Sequence, residues 1–144
     1  MKERVLFLCV HNSARSQMAE GILRHLAGDR YEVESAGSQP TSVHPLAVEV
    51  LAERGVDISV QRSKNVSELL GREFDRVISL CGDDAPGSCP FFPGGRWQDH
   101  VPFPDPASAG ETEDQQRAAF RRVRDSLWKW VACDLLEGGD AHEA

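Results

Sequence analysis

At 144 residues and 15.9 kDa, the chain suits one domain whose core can form without metals or disulfides. Its 40% hydrophobic and 27% charged residues exclude overall disorder, and no apolar run nears the 18 residues of a membrane span. A net charge of −7 argues against nucleic-acid binding, which needs a basic face.

The N-terminus lacks the shape of a signal peptide: Glu3 and Arg4 lead straight into the apolar run Val5–Val10, so a cytoplasmic location is expected. Residues 1–137 are expected to form the domain and residues 138–144 a frayed tail. The charge is uneven. Residues 1–30 hold five Lys/Arg against three Asp/Glu, while the rest is acidic. An acidic protein that handles an anion must concentrate positive potential locally, which directs attention to the first 30 residues.

Arg4–Leu8 reads as a buried strand. From Ser13 a helical period follows, with Met18, Ile22 and Leu26 on one face and Gly28 at its end. Tyr31–Ser35 alternates as a second strand. Pro45 opens and Gly55 closes another helix, with Leu46, Ala47, Val50 and Leu51 as its apolar stripe. A short helix at Val66–Leu70 ends at Gly71, and Phe74–Leu80 is a third strand. Ala85–Gly95, with three Pro and three Gly, is a loop, and Trp97–Phe103 reads as a fourth strand. Thr112 and Gln115 form a capping-box pair for a long last helix, which buries Phe120, Val123, Leu127 and Val131 and ends at Gly138 and Gly139. This order predicts a single α/β domain, an about four-stranded parallel sheet with helices on both faces. Ligands of such sheets sit at the carboxyl ends of the strands. Cys9 directly follows the first strand and Cys81 the third, so both thiols should emerge at one edge.

Four cysteines are present: Cys9, Cys81, Cys89 and Cys133. A cytosolic setting disfavours structural disulfides, and without a CxxC pair or His at zinc spacing no metal site is expected. Cys9 opens the segment Cys9-Val10-His11-Asn12-Ser13-Ala14-Arg15-Ser16, just before a helix. If the loop wraps so that its N–H groups point inward, it forms with the helix start a cradle for a tetrahedral oxyanion. Arg15 adds two parallel donors, Ser16 can donate its hydroxyl to the sulfur of Cys9, and the helix start favours the thiolate. Asn12 tolerates a left-handed backbone and can pin the loop through its amide. Cys81 and Cys89 flank a Gly/Pro loop whose Asp83, Asp84, Pro86, Gly87 and Ser88 offer nothing apolar to bury Cys89, which suits a disulfide relay.

Cys9-x2-Asn12-x2-Arg15-Ser16 resembles the signature of the low-molecular-weight tyrosine phosphatase fold. Within that fold the chain is most similar to the thioredoxin-coupled arsenate reductases. His11 stands where phosphatases usually carry Gly, and Ala14 where they tend to carry a second Cys. The likeness runs from Val5 to about Leu136 and includes Glu34-Ser35-Ala36-Gly37, Leu80-Cys81-Gly82-Asp83 and Asp105-Pro106-Ala107.

The resemblance implies an arsenate reductase that binds arsenate in Val10–Arg15. Cys9 attacks the arsenic, Cys81 attacks Cys9, and Cys89 attacks Cys81. Thioredoxin then reduces the Cys81–Cys89 disulfide from outside, and no bound cofactor or metal is required. Family members commonly have six residues between the resolving cysteines; this chain has seven, Gly82–Ser88.

Composition alone reads Asp105 as a turn residue. The resemblance makes it the general acid that protonates the leaving oxygen, or the group that assists thiol deprotonation. Ala107 replaces the Tyr with which phosphatases of this fold usually follow Asp-Pro, which disfavours a phosphotyrosine pocket. Some family members hold a potassium ion with Asn, Glu, Ser and Asp. Asn12, Glu20 and Ser35 keep three of these positions and Lys64 falls on the fourth, which leaves two readings: its ammonium holds Asn12 and Glu20 in the ion's stead, or it points into water at the start of the short helix. Cys133 reads as a bystander and His100 as an ordinary loop histidine. Phosphate and sulfate are expected competitors, and the protein is expected to be a monomer. One rival reading is a phosphatase that forms a phosphocysteine on Cys9, with Cys81 and Cys89 irrelevant; another is a non-catalytic anion-binding or redox-sensing module.

Overall fold

The computed structural model describes residues 2–82 and 89–136. The tail 138–144, Gly138 and Gly139 included, and the loop residues 83–88 lie outside the described residues.

Four strands form one parallel sheet in the order β2-β1-β3-β4: β1 Glu3–Leu8, β2 Tyr31–Ala36, β3 Phe74–Cys81 and β4 Gly95–Phe103. The central strand β1 carries a continuous apolar run, as burial on both faces requires, and Val5–Leu8 are at most 1% exposed; its neighbour β3 buries Val77, Ile78 and Leu80 but also carries Asp75, Arg76 and Ser79. β4 is an edge strand. Its exposure alternates, and the edge position tolerates Pro102. β3 runs one residue further than its sequence pattern suggests, so Cys81 closes the strand rather than following it. β4 starts two residues earlier than expected, at Gly95.

Helices α1 Arg15–Ala27, α2 Pro45–Ala52 and α3 Glu113–Lys129 share one core with Val5, Phe7, Ile78 and Leu80 on one face of the sheet. On α1 the buried face centres on Ala19, Ile22 and Leu23, and Leu26 is only partly buried. The opposite face carries Leu6, Leu8, Ala36 and Val77, covered by a single 3₁₀ turn at Val66–Leu69 and by Phe92. Both faces therefore bear a helix, but the second bears only one turn. The chain between α2 and β3 divides its length between the two faces: Ile58 joins the first core and Leu69 the second.

The Thr112–Gln115 capping box forms in both directions, with Thr112 Oγ1 accepting from the Gln115 N–H at 3.1 Å. α3 continues into a π-helical segment at Trp130–Leu135, which buries Val131 and Leu135 and leaves Cys133 exposed, away from the other thiols.

α3 is tied to α2 through Glu53. Arg121 and Arg124 each reach this carboxylate at 2.7 Å, and Arg124 also donates to the Val50 carbonyl at 2.9 Å. The Arg121 hydrogen bonds, joined by Arg124 against an opposing effect of burial, hold the Glu53 carboxyl down to about 2 from its usual 4.5. Because the folded value is the lower one, the stabilisation is present above about 4.5 and fades as pH falls toward 2. Glu53→Gln should cost about 1 kcal/mol at neutral pH, given the partial exposure of the group. Thermal melts across pH check this: the gap between wild type and variant should close in strong acid.

Candidate active site

In the sheet order β2-β1-β3-β4 the chain leaves β1 in both directions, which creates a crevice at the carboxyl ends of β1 and β3. Cys9 follows β1 and Cys81 ends β3. The two side chains pack together with Val10, and Cys89 rests against them. Cys81 and Cys89 are joined in a disulfide with Cα atoms 6.1 Å apart, so the pair closes across the extra loop residue. Cys9 is a free, buried thiol.

The loop after Cys9 is held from outside by its carbonyls. Val10 O accepts from Gln39 N at 2.9 Å, His11 O from Thr41 N at 3.2 Å, and Ser13 O from His44 N at 2.9 Å. A trans peptide whose carbonyl is held on one side presents the next N–H to the other, which leaves the loop's donors on the side away from these contacts. Asn12 is left-handed, with φ 48, and fully buried. Its amide donates to Ser16 Oγ at 2.7 Å and Ser35 Oγ at 2.9 Å. Its carbonyl oxygen accepts from Gln17 and from the main-chain N–H of Lys64. Gly37 crosses this loop so closely that a Cβ would stand 2.4 Å from Val10 O, which only glycine allows. α1 begins after Ala14 with no side-chain cap and no acidic residue in its first turn, which leaves its terminal donors for an anion.

Cys9 Sγ lies 2.9 Å from Ser16 Oγ. Arg15 is buried and donates to the Phe103 carbonyl at 3.2 Å, an anchor that presets its side chain. A cavity of about 170 Å³ is lined by Cys9, Arg15 and Asp105 with His11, Ser13, Ala14, Thr41 and Ala107. That is below the roughly 300–1,000 Å³ of sites that engulf drug-sized ligands, and it suits a small oxyanion. Asp105 accepts from the Ala107 N–H at 3.0 Å and from the Ser108 hydroxyl at 3.2 Å, which fixes its side chain at the start of a short 3₁₀ turn on the cavity wall.

The Lys64 expectation is corrected. The ammonium of Lys64 pairs with Glu34 at 3.1 Å and not with Asn12 or Glu20, and only its backbone N–H reaches Asn12. Alternation along β2 is the cause: Ser35 faces α1 and Glu20, so Glu34 faces the other side, where Lys64 lies. Glu20 is satisfied by Arg24 at 2.7 Å and by the Ser35 hydroxyl at 2.5 Å. Burial pushes the Glu34 carboxyl up, but Lys64 and Arg72 outweigh it and hold it below the usual carboxylate range.

Several supporting residues escape the sequence reading. Gln17 is fully buried and ties Asn12 to the Arg62 carbonyl. His44 caps α2: its Nδ1 accepts the Leu46 N–H at 3.1 Å and its ring lies 4.6 Å from that of Phe120. Burial lowers the pKa of His44 against an opposing pull from Asp105, which favours the neutral ring with its proton on Nε2. His100 lies in β4 rather than in a loop and sits 2.7 Å from the Cys81 carbonyl. Pro45 after His44 was the one local hint of the cap; the others depend on contacts distant in sequence.

The sequence profile described as low molecular weight phosphotyrosine protein phosphatase matches residues 4–133. The chain belongs to that family. It is a member of the arsenate reductase group within it. An arsenate reductase of Halalkalibacterium halodurans is 43% identical over 130 residues, covering 90% of this chain and 93% of the relative. A solved arsenate reductase in its phosphate-binding state superposes with a TM-score of 0.70 at 31% identity, covering 90% of this chain and 94% of the other. The thioredoxin-dependent arsenate reductase of Corynebacterium glutamicum gives a TM-score of 0.61 at 34% identity, covering 91% of this chain and 62% of that one. No helix among the described residues is long and apolar enough to cross a membrane.

Proposed function

We propose that the protein reduces arsenate to arsenite through Cys9, Cys81 and Cys89 and is regenerated by thioredoxin. The observation that carries the reading is the Cys81–Cys89 disulfide closed against the free thiol of Cys9. A phosphatase needs neither of the bonded cysteines. Arsenate enters the cavity, where Arg15 and the loop N–H groups offset its charge. Thiolate Cys9 attacks arsenic, and Asp105 protonates the departing oxygen. Cys81 then attacks Cys9 Sγ. A sulfur–sulfur bond forms, the sulfur–arsenic bond breaks, and its electron pair stays on arsenic, which leaves as arsenite. Cys89 attacks Cys81 and returns Cys9 as a thiolate. The two electrons are replaced by the dithiol of thioredoxin. Phosphate and sulfate compete for the cavity, and the protein works as a cytoplasmic monomer.

The test is arsenate-dependent NADPH oxidation with thioredoxin and thioredoxin reductase, set beside phosphate-ester hydrolysis on the same sample. Arsenite release coupled to NADPH is expected. Ester turnover without arsenite would overturn the reading in favour of a phosphatase. Asp105→Asn should slow ester hydrolysis by about 10²–10³-fold, within the usual range for losing a general acid. The loss should shrink for esters whose leaving group needs no proton, measured with a series of phenols.

A further inference from the structure

Ser79 lies on β3 two residues before Cys81, and its hydroxyl oxygen is 2.8 Å from Cys89 Sγ. In the disulfide neither sulfur carries a proton, so the hydroxyl is the donor. The strand around it is regular: the extra residue of the β3–β4 irregularity lies on β4, where Ser79 pairs with His100 and Cys81 with Phe103. One short stretch of a central strand thus carries the sulfur that Cys89 attacks and a hydroxyl that receives Cys89.

We propose that Ser79 is a catalytic residue of the second disulfide exchange, holding Cys89 Sγ against Cys81 and donating a hydrogen bond to its thiolate. This rests on the thiol relay described above and adds a group to its last step. Cys89 loses its proton to solvent, and its thiolate attacks Cys81 Sγ in the Cys9–Cys81 disulfide. The Cys81–Cys89 bond forms and the Cys9–Cys81 bond breaks. Cys9 leaves as a thiolate and meets the Ser16 hydroxyl 2.9 Å away. A hydroxyl donor favours the thiolate of the attacking group. It lowers the nucleophilicity of that thiolate by a smaller factor, because the dependence of exchange rate on basicity is only about 0.4–0.5. The net gain is a faster exchange near neutral pH. The hydroxyl also fixes the end of a loop that is one residue longer than is common in the family.

The experiment follows disulfides in time. Reduced protein is mixed with arsenate, quenched in acid, alkylated and mapped by peptide mass. In Ser79→Ala the Cys9–Cys81 species should accumulate and convert to Cys81–Cys89 about three- to tenfold more slowly at neutral pH. The pH midpoint of that conversion should move upward, and Ser79→Thr should restore both. Conversion in Ser79→Ala at the wild-type rate with the wild-type pH profile would overturn the role. Equal slowing of arsenite release and of conversion would overturn it too, since that marks a purely structural effect. Forming the Cys9–Cys81 bond with stoichiometric hydrogen peroxide, which yields only water besides, reads the same exchange without arsenate. The role of Ser79 is therefore decided separately from the substrate.

Discussion

Cys9→Ser should release no arsenite and hydrolyse no phosphate ester, with losses of about 10⁴-fold or more in both, as when other covalent nucleophiles are removed. A serine hydroxyl is not ionised near neutral pH, whereas the thiol it replaces yields its thiolate far more readily. Ser16, 2.9 Å away, is a hydroxyl, suited to stabilising a thiolate but not to taking a proton from an alcohol. Oxygen also cannot form the sulfur–sulfur bond through which electrons reach arsenic. Arsenite release and nitrophenyl phosphate hydrolysis measure the two losses, and circular dichroism shows whether the fold is intact. Arsenate reduction retained in this variant would remove Cys9 from the mechanism.

Cys81→Ser should separate the two chemistries. Thioredoxin-coupled NADPH oxidation should fall to background, a loss of about 10³-fold or more, because Cys81, the thiol that attacks Cys9 and breaks its bond to arsenic, is gone and Cys89 is placed to attack Cys81 rather than Cys9. Ester hydrolysis should stay within about twofold of wild type, since water completes it and Cys9, Arg15 and Asp105 remain. The coupled assay and the ester assay, run in parallel, read both outcomes. Wild-type coupled turnover in Cys81→Ser would overturn the relay.

What the sequence made legible is what short-range physics controls. The continuous apolar run of β1 marks a central parallel strand, and Thr112 with Gln115 marks the start of α3. The segment from Cys9 to Ser16 carries the anion loop within eight residues, so spacing alone exposes it. The supports of that loop were hidden because they are remote in the chain. Gln17 meets Arg62 across 45 residues, and Lys64 meets Asn12 across 52. Ser79 reaches Cys89 across ten residues through a loop whose path no periodicity encodes. Lys64 failed for a further reason. An alignment assigns a position along the chain but not a face of the sheet, and one step along β2 moves a side chain from Glu20 to the opposite side.

The division of Lys64 into two contacts separates the anion loop from the ionic strength of its surroundings. Its ammonium is buried but meets Glu34, a carboxylate about a third exposed, so of the two contacts this is the one that dissolved ions reach, and they weaken it modestly. Its amide meets Asn12, which is sealed from water, and mobile ions do not screen a contact they cannot approach. Concentrated salt can therefore loosen the periphery while Asn12, and with it the curvature of the loop, stays in place. What salt contributes at the centre is competition alone, from those of its anions that have the size and shape to occupy the cavity.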